Sequence, residues 1–437
     1  MNVDPRAMKT QAEQALSAAF AAARGTLPGK GAVATLRDDA FQRFDAKGLP
    51  HRRVEEWKYT DLRALMREAK PLAGPADAKP KGHIAPILTG VETNCIAIVN
   101  GRYEPGWSDF KASDAGVTVA ELFMFLGENP DYRLGQVPGG DDPAQWLNTA
   151  FMSGGVALRI KRGTVVAKPI HIAHVFSGAG AAAMYPRSVV IVEPGAQVTL
   201  IESFSGPEGI DYQVNSALEL VIGDGARVDH IKVGCDGGAA LRVSTLGVAV
   251  GAKATYKDFA FTIGGAVVRN QTFVRFGGEG SEGAIDGASL LKGRQHVDNT
   301  LVISHAAGHC TSRERFKSVL DGESHGIFQG KIIVEPHAQK TDGKMMTRAL
   351  LLSDEAEADN KPELEIFADD VVCGHGATAG ALDEGLKFYL MSRGIPATEA
   401  EALLIQAFIG EVVEEVAHEG IRDALMFAAL KWLGSRP

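Results

Sequence analysis

From Gly155 onward the apolar residues of the chain come in short runs of branched aliphatic side chains, broken at regular intervals by glycine. Val189-Val-Ile-Val-Glu-Pro-Gly-Ala-Gln-Val-Thr-Leu-Ile201 is echoed by Leu218-Glu-Leu-Val-Ile-Gly-Asp-Gly-Ala-Arg-Val-Asp-His-Ile231, and again by Leu246-Gly-Val-Ala-Val-Gly-Ala-Lys-Ala-Thr-Tyr256. Each unit reads strand, Gly-Ala corner, strand. Worn copies follow at Gly283-Ala-Ile-Asp286 and Ile332-Ile-Val-Glu-Pro-His-Ala-Gln339. A period of roughly 25 to 32 residues made of short strands and glycine corners predicts coils stacked on coils. A two-sheet sandwich would call for two-residue Asn-Gly or Asp-Gly hairpins, whereas this corner recurs at one place in each unit. The pattern therefore predicts a mainly β chain, with a parallel β-helix over 155–380 that the crossover rule makes right-handed. Such a stack has open ends whose backbone groups must be capped or joined to another chain.

The flanks follow a helical period. Residues 1–86 read as an N-terminal helical region: Pro5 fits a first turn, Met8, Ala12, Leu16, Ala19 and Phe20 keep one face, and further helices are predicted after Asp39 and over 54–66. Residues 87–154 read as a mixed connecting region with a strand at 95–99 and a helix at 121–126. Residues 381–437 read as three C-terminal helices, the first capped by Asp383 and the second opened by the capping box Thr398-Glu-Ala-Glu401. These last helices carry more large apolar residues than they can bury among themselves, so they either pack back on the β-body or form a docking surface.

The seam between body and tail is Glu363-Leu-Glu-Ile-Phe-Ala-Asp-Asp-Val-Val-Cys-Gly-His-Gly-Ala-Thr-Ala-Gly380. Cys373 and His375 are two apart, so an extended backbone sends both side chains to one face, where they can reach one metal, cluster or partner surface. The alternative is a small buried thiol beside a hydrogen-bonded loop histidine. His305-Ala-Ala-Gly-His309-Cys310 groups three more possible ligands; His171 and His174 are expected on opposite strand faces.

Composition narrows the function classes. The 437 residues carry a formal charge of -9, which speaks against binding nucleic acid through a general basic surface. Four cysteines with no CxxC pair argue against a disulfide framework and suit a reducing cytosol. No run is long enough to span a bilayer and no apolar leader opens the sequence, so a cytoplasmic protein without membrane contact is expected. Gly25-Thr-Leu-Pro-Gly-Lys-Gly31 has the wrong spacing for a Walker A motif, so no ATPase activity is expected of this chain. Gly374-His-Gly-Ala-Thr-Ala-Gly380 imitates a dinucleotide fingerprint but lacks a surrounding βαβ unit. A polysaccharide-active enzyme, common among parallel β-helices, is the alternative reading; only 7% aromatic residues argues against a sugar groove.

Several stretches together resemble the SufB/SufD family of scaffold subunits of the SUF iron–sulfur cluster assembly system: Glu55-Glu-Trp-Lys-Tyr-Thr-Asp-Leu62, Ser304 to Cys310, Gly330-Lys-Ile-Ile-Val-Glu-Pro336, Ala338-Gln-Lys-Thr-Asp342, Arg348-Ala-Leu-Leu-Leu-Ser-Asp354 and Lys361 to Thr378. Within the family the SufD branch is the better match. SufB-like chains carry Glu after the histidine and a functional cysteine upstream; here Gly376 follows His375, and Thr347-Arg-Ala-Leu350 holds no thiol. The resemblance implies a non-ATPase scaffold that pairs with SufB through the β-helices and docks the ABC-type ATPase SufC on its C-terminal helices. Phe388, Leu404, Phe408 and Val412 are the candidate contacts for that docking. It also implies His375 as the functional residue of the cluster-assembly interface, with Cys373 as neighbouring thiol; both are candidate ligands to iron or a nascent iron–sulfur cluster held only transiently. No cofactor is expected on the isolated chain; whether it stays a monomer or pairs with a second copy as a homodimer when SufB is absent is left open by the sequence.

Overall fold

The computed structural model describes residues 8–76, 79–80, 85–110, 116–135, 137–139 and 141–435. Two ten-strand-scale sheets face each other. One runs in the order 102–103, 94–99, 170–175, 197–205, 227–235, 255–262, 282–291, 311–320, 342–351 and 372–380. The other runs from 357–366 through 325–334, 296–305, 267–276, 241–250, 213–222, 187–192 and 156–160 to 117–121. From Val156 onward successive coils pair in parallel and in register within each sheet, at separations from 26 residues (Leu241 to Val267) to 32 (His325 to Glu357), and the earlier strand 94–99 adds in parallel to 170–175. The chain is thus a parallel β-helix with helices at both ends of the sequence, as the repeats predict.

The repeating corner has a physical basis. Its third residue takes a left-handed backbone, at Gly195 (φ 72°), Gly225 (64°), Lys253 (52°), Gly280 (71°), His309 (59°) and Lys340 (62°). The N–H of each donates to a carbonyl of the following coil, as in Gly225 to Ala252 (2.8 Å) and His309 to Gln339 (2.9 Å). The next residue turns inward against its counterparts, so it is small: Ala196, Ala226, Ala254, Ser281, Cys310 and Thr341 are all buried. Glycine relieves the Cβ clash of the left-handed region, and the inward step admits only a short side chain.

Inside, branched aliphatics from Leu158 to Val334 form one continuous core. Outside, each sheet carries a helical layer. The helices Gln11–Ala23, Ala32–Lys47 and Pro143–Phe151 pack with Leu241 and Val243 on one sheet. Helices Ala397–Val413 and Glu419–Leu433 lay Ile405, Ile409, Val412, Val413, Leu425 and Trp432 on Ile231, Phe259, Phe261 and Leu290 of the other. Among the described residues, no helix is long and apolar enough to cross a membrane.

Three local expectations change. Pro5 lies outside the described residues, and the first helix starts at Gln11 behind a Thr10–Glu13 capping box. The helix expected over 54–66 is only a 3-10 turn Glu55–Trp57 and one turn Leu62–Leu65. Its side chains are used as a strap instead. Trp57 is fully buried, lies 3.9 Å from the Arg269 guanidinium and donates its indole N–H to Asp142. The Glu56 carbonyl accepts from Arg269, and the Thr60 hydroxyl bonds Asp298 and lies 2.9 Å from His296 Nε2. These tertiary contacts outweigh helix propensity. The second tail helix starts at Ala397 with Pro396 at its cap, so Thr398 sits inside the first turn and the capping box does not form.

The two ends of the stack differ. At its start, both sheets finish in antiparallel closing strands, Arg102–Tyr103 and Val117–Glu121. At its finish the last strands, Glu357–Ile366 and Val372–Gly380, are edge strands as the closing strands are, but they are longer and pair in parallel with the coil before them. Their residues are half-buried or exposed, whereas the strands before them are mostly buried. The tail helices fold back along the sheet rather than across this end.

Candidate functional site

The open end is where the seam residues lie. In Val372–Gly380, Cys373 pairs in register with Gly343 and His375 with Met345. Cys373 packs against the main core, whereas a Cβ on Gly376 would meet Met346 at 2.7 Å. The strand therefore sends Cys373 and His375 to the inner face and Gly374 and Gly376 to the outer one. His375 caps an inner column that runs His230, Asp258, Ile285, Glu314, Met345, His375 along successive strands. It is exposed because no coil follows it. Burial pushes the Cys373 thiol above the usual cysteine range, with the Asp342 and Glu314 carboxyls adding to the effect. At neutral pH this thiol stays protonated unless a metal displaces the proton, so the imidazole nitrogen is the readier ligand.

A cleft of about 640 Å³ opens at the same strand, with Cys373 and His375 on its wall beside Arg313, Arg315, Lys344, Met346, Gly374, Gly376 and Glu415. Its cations are already engaged. Arg315 forks onto Asp286 and reaches Glu415 (2.7 Å), and Arg313 reaches Asp342 (2.6 Å). The cleft is shaped by glycines rather than by free charge.

Beneath His375, Glu314 is fully buried, and the Ser312 hydroxyl, the one group that favours its charged form by hydrogen bonding, does not reach good hydrogen-bond geometry with either carboxylate oxygen. Burial pushes its carboxyl up to about 8, so it is largely neutral at pH 7. Sequence reasoning missed this residue. Arg313-Glu-Arg315 looks like a solvated stretch, and only strand alternation set against the following coils shows that the middle residue points inward. A second inner group lies farther from the open end: Glu202 takes contacts from His174 (3.2 Å) and Lys232 (3.7 Å), and His230 Nδ1 lies 2.7 Å from Asp258.

The His305–Cys310 group does not converge. His305 is buried with Nε2 2.9 Å from the Ser312 hydroxyl, His309 occupies a left-handed corner facing Glu279 at 3.7 Å, and the Cys310 thiol donates to the Gly278 carbonyl at 3.3 Å. His171 and His174 do take opposite faces, His171 Nε2 lying 2.7 Å from the Ser203 hydroxyl and His174 Nε2 3.2 Å from the Glu202 carboxylate. Among the candidate docking residues, Phe388 on helix Glu384–Ser392 is 72% exposed, flanked by exposed Leu386, Tyr389 and Met391. Leu404 and Phe408 line a groove of about 310 Å³ beside Leu386 and Leu350. Val412 is only 1% exposed and belongs to the chain's own core, so burial against the sheet removes it from the docking surface.

Comparison with known proteins agrees with this geometry. Residues 174–408 match the model of the SUF system FeS cluster assembly, SufBD core domain, and residues 10–172 match the SufBD protein N-terminal region. The chain is 31% identical over 392 residues to the iron-sulfur cluster assembly protein SufD of Escherichia coli (strain K12), covering 88% of this chain and 90% of that one. It is 29% identical over 403 residues to a SufBD family protein of Synechocystis, covering 89% and 88%. It is 29% identical over 322 residues to SufD of Bacillus subtilis (strain 168), covering 72% and 73%. With the core model spanning more than half its length and the E. coli relative matched nearly end to end, the chain belongs to the SufBD family of the SUF iron–sulfur cluster assembly system.

Proposed function

We propose that this chain is a non-ATPase scaffold subunit that joins SufB at the open end of its β-helix and builds a nascent iron–sulfur cluster there. The observation that carries this reading is the asymmetry of the stack: short antiparallel strands end it at the start, full-length parallel strands end it at the finish, and the last of these carries an inward imidazole. Two free strand edges offer backbone hydrogen bonds that a second β-helix satisfies by continuing the sheets. His375 then lies at the joint, where its nitrogen serves as a ligand to iron or to the growing cluster, with Cys373 as thiolate once metal displaces its proton. Iron and cluster are cargo of this site. SufC docks on the apolar surface around Phe388, Leu404 and Phe408, and its ATP cycle shifts the tail helices that lie on the sheet. That motion gives access to the joint.

Hydrogen exchange tests the joint. Amides of 357–366 and 372–380 exchange fast in the isolated monomer and become protected on mixing with SufB. Protection elsewhere, with these two strands unchanged, contradicts the proposal.

A further inference from the structure

On the outer face of the other end strand, away from His375, the first residues of three successive strands stand in register: His296, His325 and Glu357. Asp359 follows Glu357 by two and so shares its face. His325 Nε2 lies 2.8 Å from Asp359 Oδ2, and one ligand atom each from His325, Glu357 and Asp359 falls within 4.8 Å of the other two. Ligands on adjacent corners of an octahedron of metal–ligand length about 2.1 Å are about 3 Å apart, so the His325–Asp359 spacing already matches one edge. The exposed Glu357 side chain is free to close the set.

Charge sets these two acids apart from the rest of their strand. Glu363 and Glu365 face Lys331, and Lys361 pairs with Glu55 and Glu363. Among the described residues, Asp359 has His325 as its one ion-pair partner and Glu357 has none. A plain His–Asp pair needs one carboxylate; a second beside it adds repulsion unless a cation is shared. The surroundings are rigid: the His296 ring stands edge-on to His325 at 5.0 Å, with its Nε2 2.9 Å from the Thr60 hydroxyl.

We propose that His325, Glu357 and Asp359 form an exchangeable site for a borderline divalent transition cation of the Fe²⁺, Co²⁺ and Zn²⁺ class, separate from the His375 joint. The imidazole nitrogen selects against Mg²⁺ and Ca²⁺, and three protein ligands leave the remaining positions to water, as in sites that load and release metal.

Co²⁺ titration of the full chain, followed by visible absorption, tests this. One Co²⁺ is expected to bind at the His325 site, at least tenfold more weakly in both His325→Ala and Asp359→Asn, with no change in His309→Gly. Saturating Co²⁺ should raise the melting temperature of the wild-type chain and not that of Asp359→Asn, a near-isosteric variant that retains the fold. Absence of Co²⁺ binding to the wild type, or equal binding by the Asp359→Asn chain, overturns the proposal. Loss of all Co²⁺ binding in His375→Ala would move the metal to the joint and overturn it as well.

Discussion

Glu314 and His375 stand in one inward-facing column of the β-helix, two strands apart, with Met345 between them. Met345 is 3% exposed and closes the interior over the carboxyl, while the imidazole beyond it is open. The same inner face thus changes over two strand spacings from a dry site to an accessible one.

This burial gives the fold a pH dependence. With its carboxyl raised from an ordinary 4.5 to about 8, Glu314 keeps its proton in the folded chain at pH values where the unfolded chain has lost it. The folded state binds more protons between these limits, so its stability is full below about 4.5 and falls as pH rises through 8. The slope contributed by one such group approaches about 1.4 kcal/mol per pH unit. Urea unfolding at pH 6, 7 and 8 should show this loss in the wild type and a flatter profile in Glu314→Gln, which removes the titration at similar volume.

His309 tests the distinction between ligand and corner. A β-carbon in the left-handed region costs about 1–2 kcal/mol, and the side chain there makes only an exposed contact to Glu279. His309→Gly removes that cost but loosens the unfolded chain by about 0.4–1 kcal/mol. The net expectation is unchanged or slightly higher stability in thermal melts, with cluster assembly at wild-type level.

The exposed tail surface is separable from the fold. Phe388 and Tyr389 make little contact with the body, so Phe388→Ser with Tyr389→Ser should leave the melting temperature within a few degrees of wild type. The same double variant should lose SufC in a pull-down. Val412→Ser is the contrast: it places a hydroxyl in a packed interface and should lower stability by about 1–3 kcal/mol.

Much of this architecture is written in the corners. Gly195-Ala196 and Gly225-Ala226 announce a left-handed step followed by an inward small residue, and the same rule explains Lys253-Ala254 and His309-Cys310 once the backbone is known. That is why His309 and Cys310 look like ligands in the sequence and serve as a corner in the fold. The 54–66 stretch has a helical pattern because its apolar residues grip Arg269 and the neighbouring coil, a contact more than 200 residues distant that no local period reports. Cys373 and His375 are legible because their spacing alone sets their common face. Glu314, and the meeting of His325 with Asp359, are not. Both depend on register between coils whose lengths vary from 26 to 32 residues, and a shift of one residue would send each side chain to the other face.

The central claim is that the imidazole at the open end takes part in cluster building at the joint with SufB. The direct measurement is cluster reconstitution with SufB and SufC, comparing the wild-type chain with His375→Ala after confirming by size and mass that both form the same complex. The account predicts an intact complex whose cluster yield, read by visible absorption and bound iron, falls at least tenfold. An intact complex with wild-type yield contradicts it.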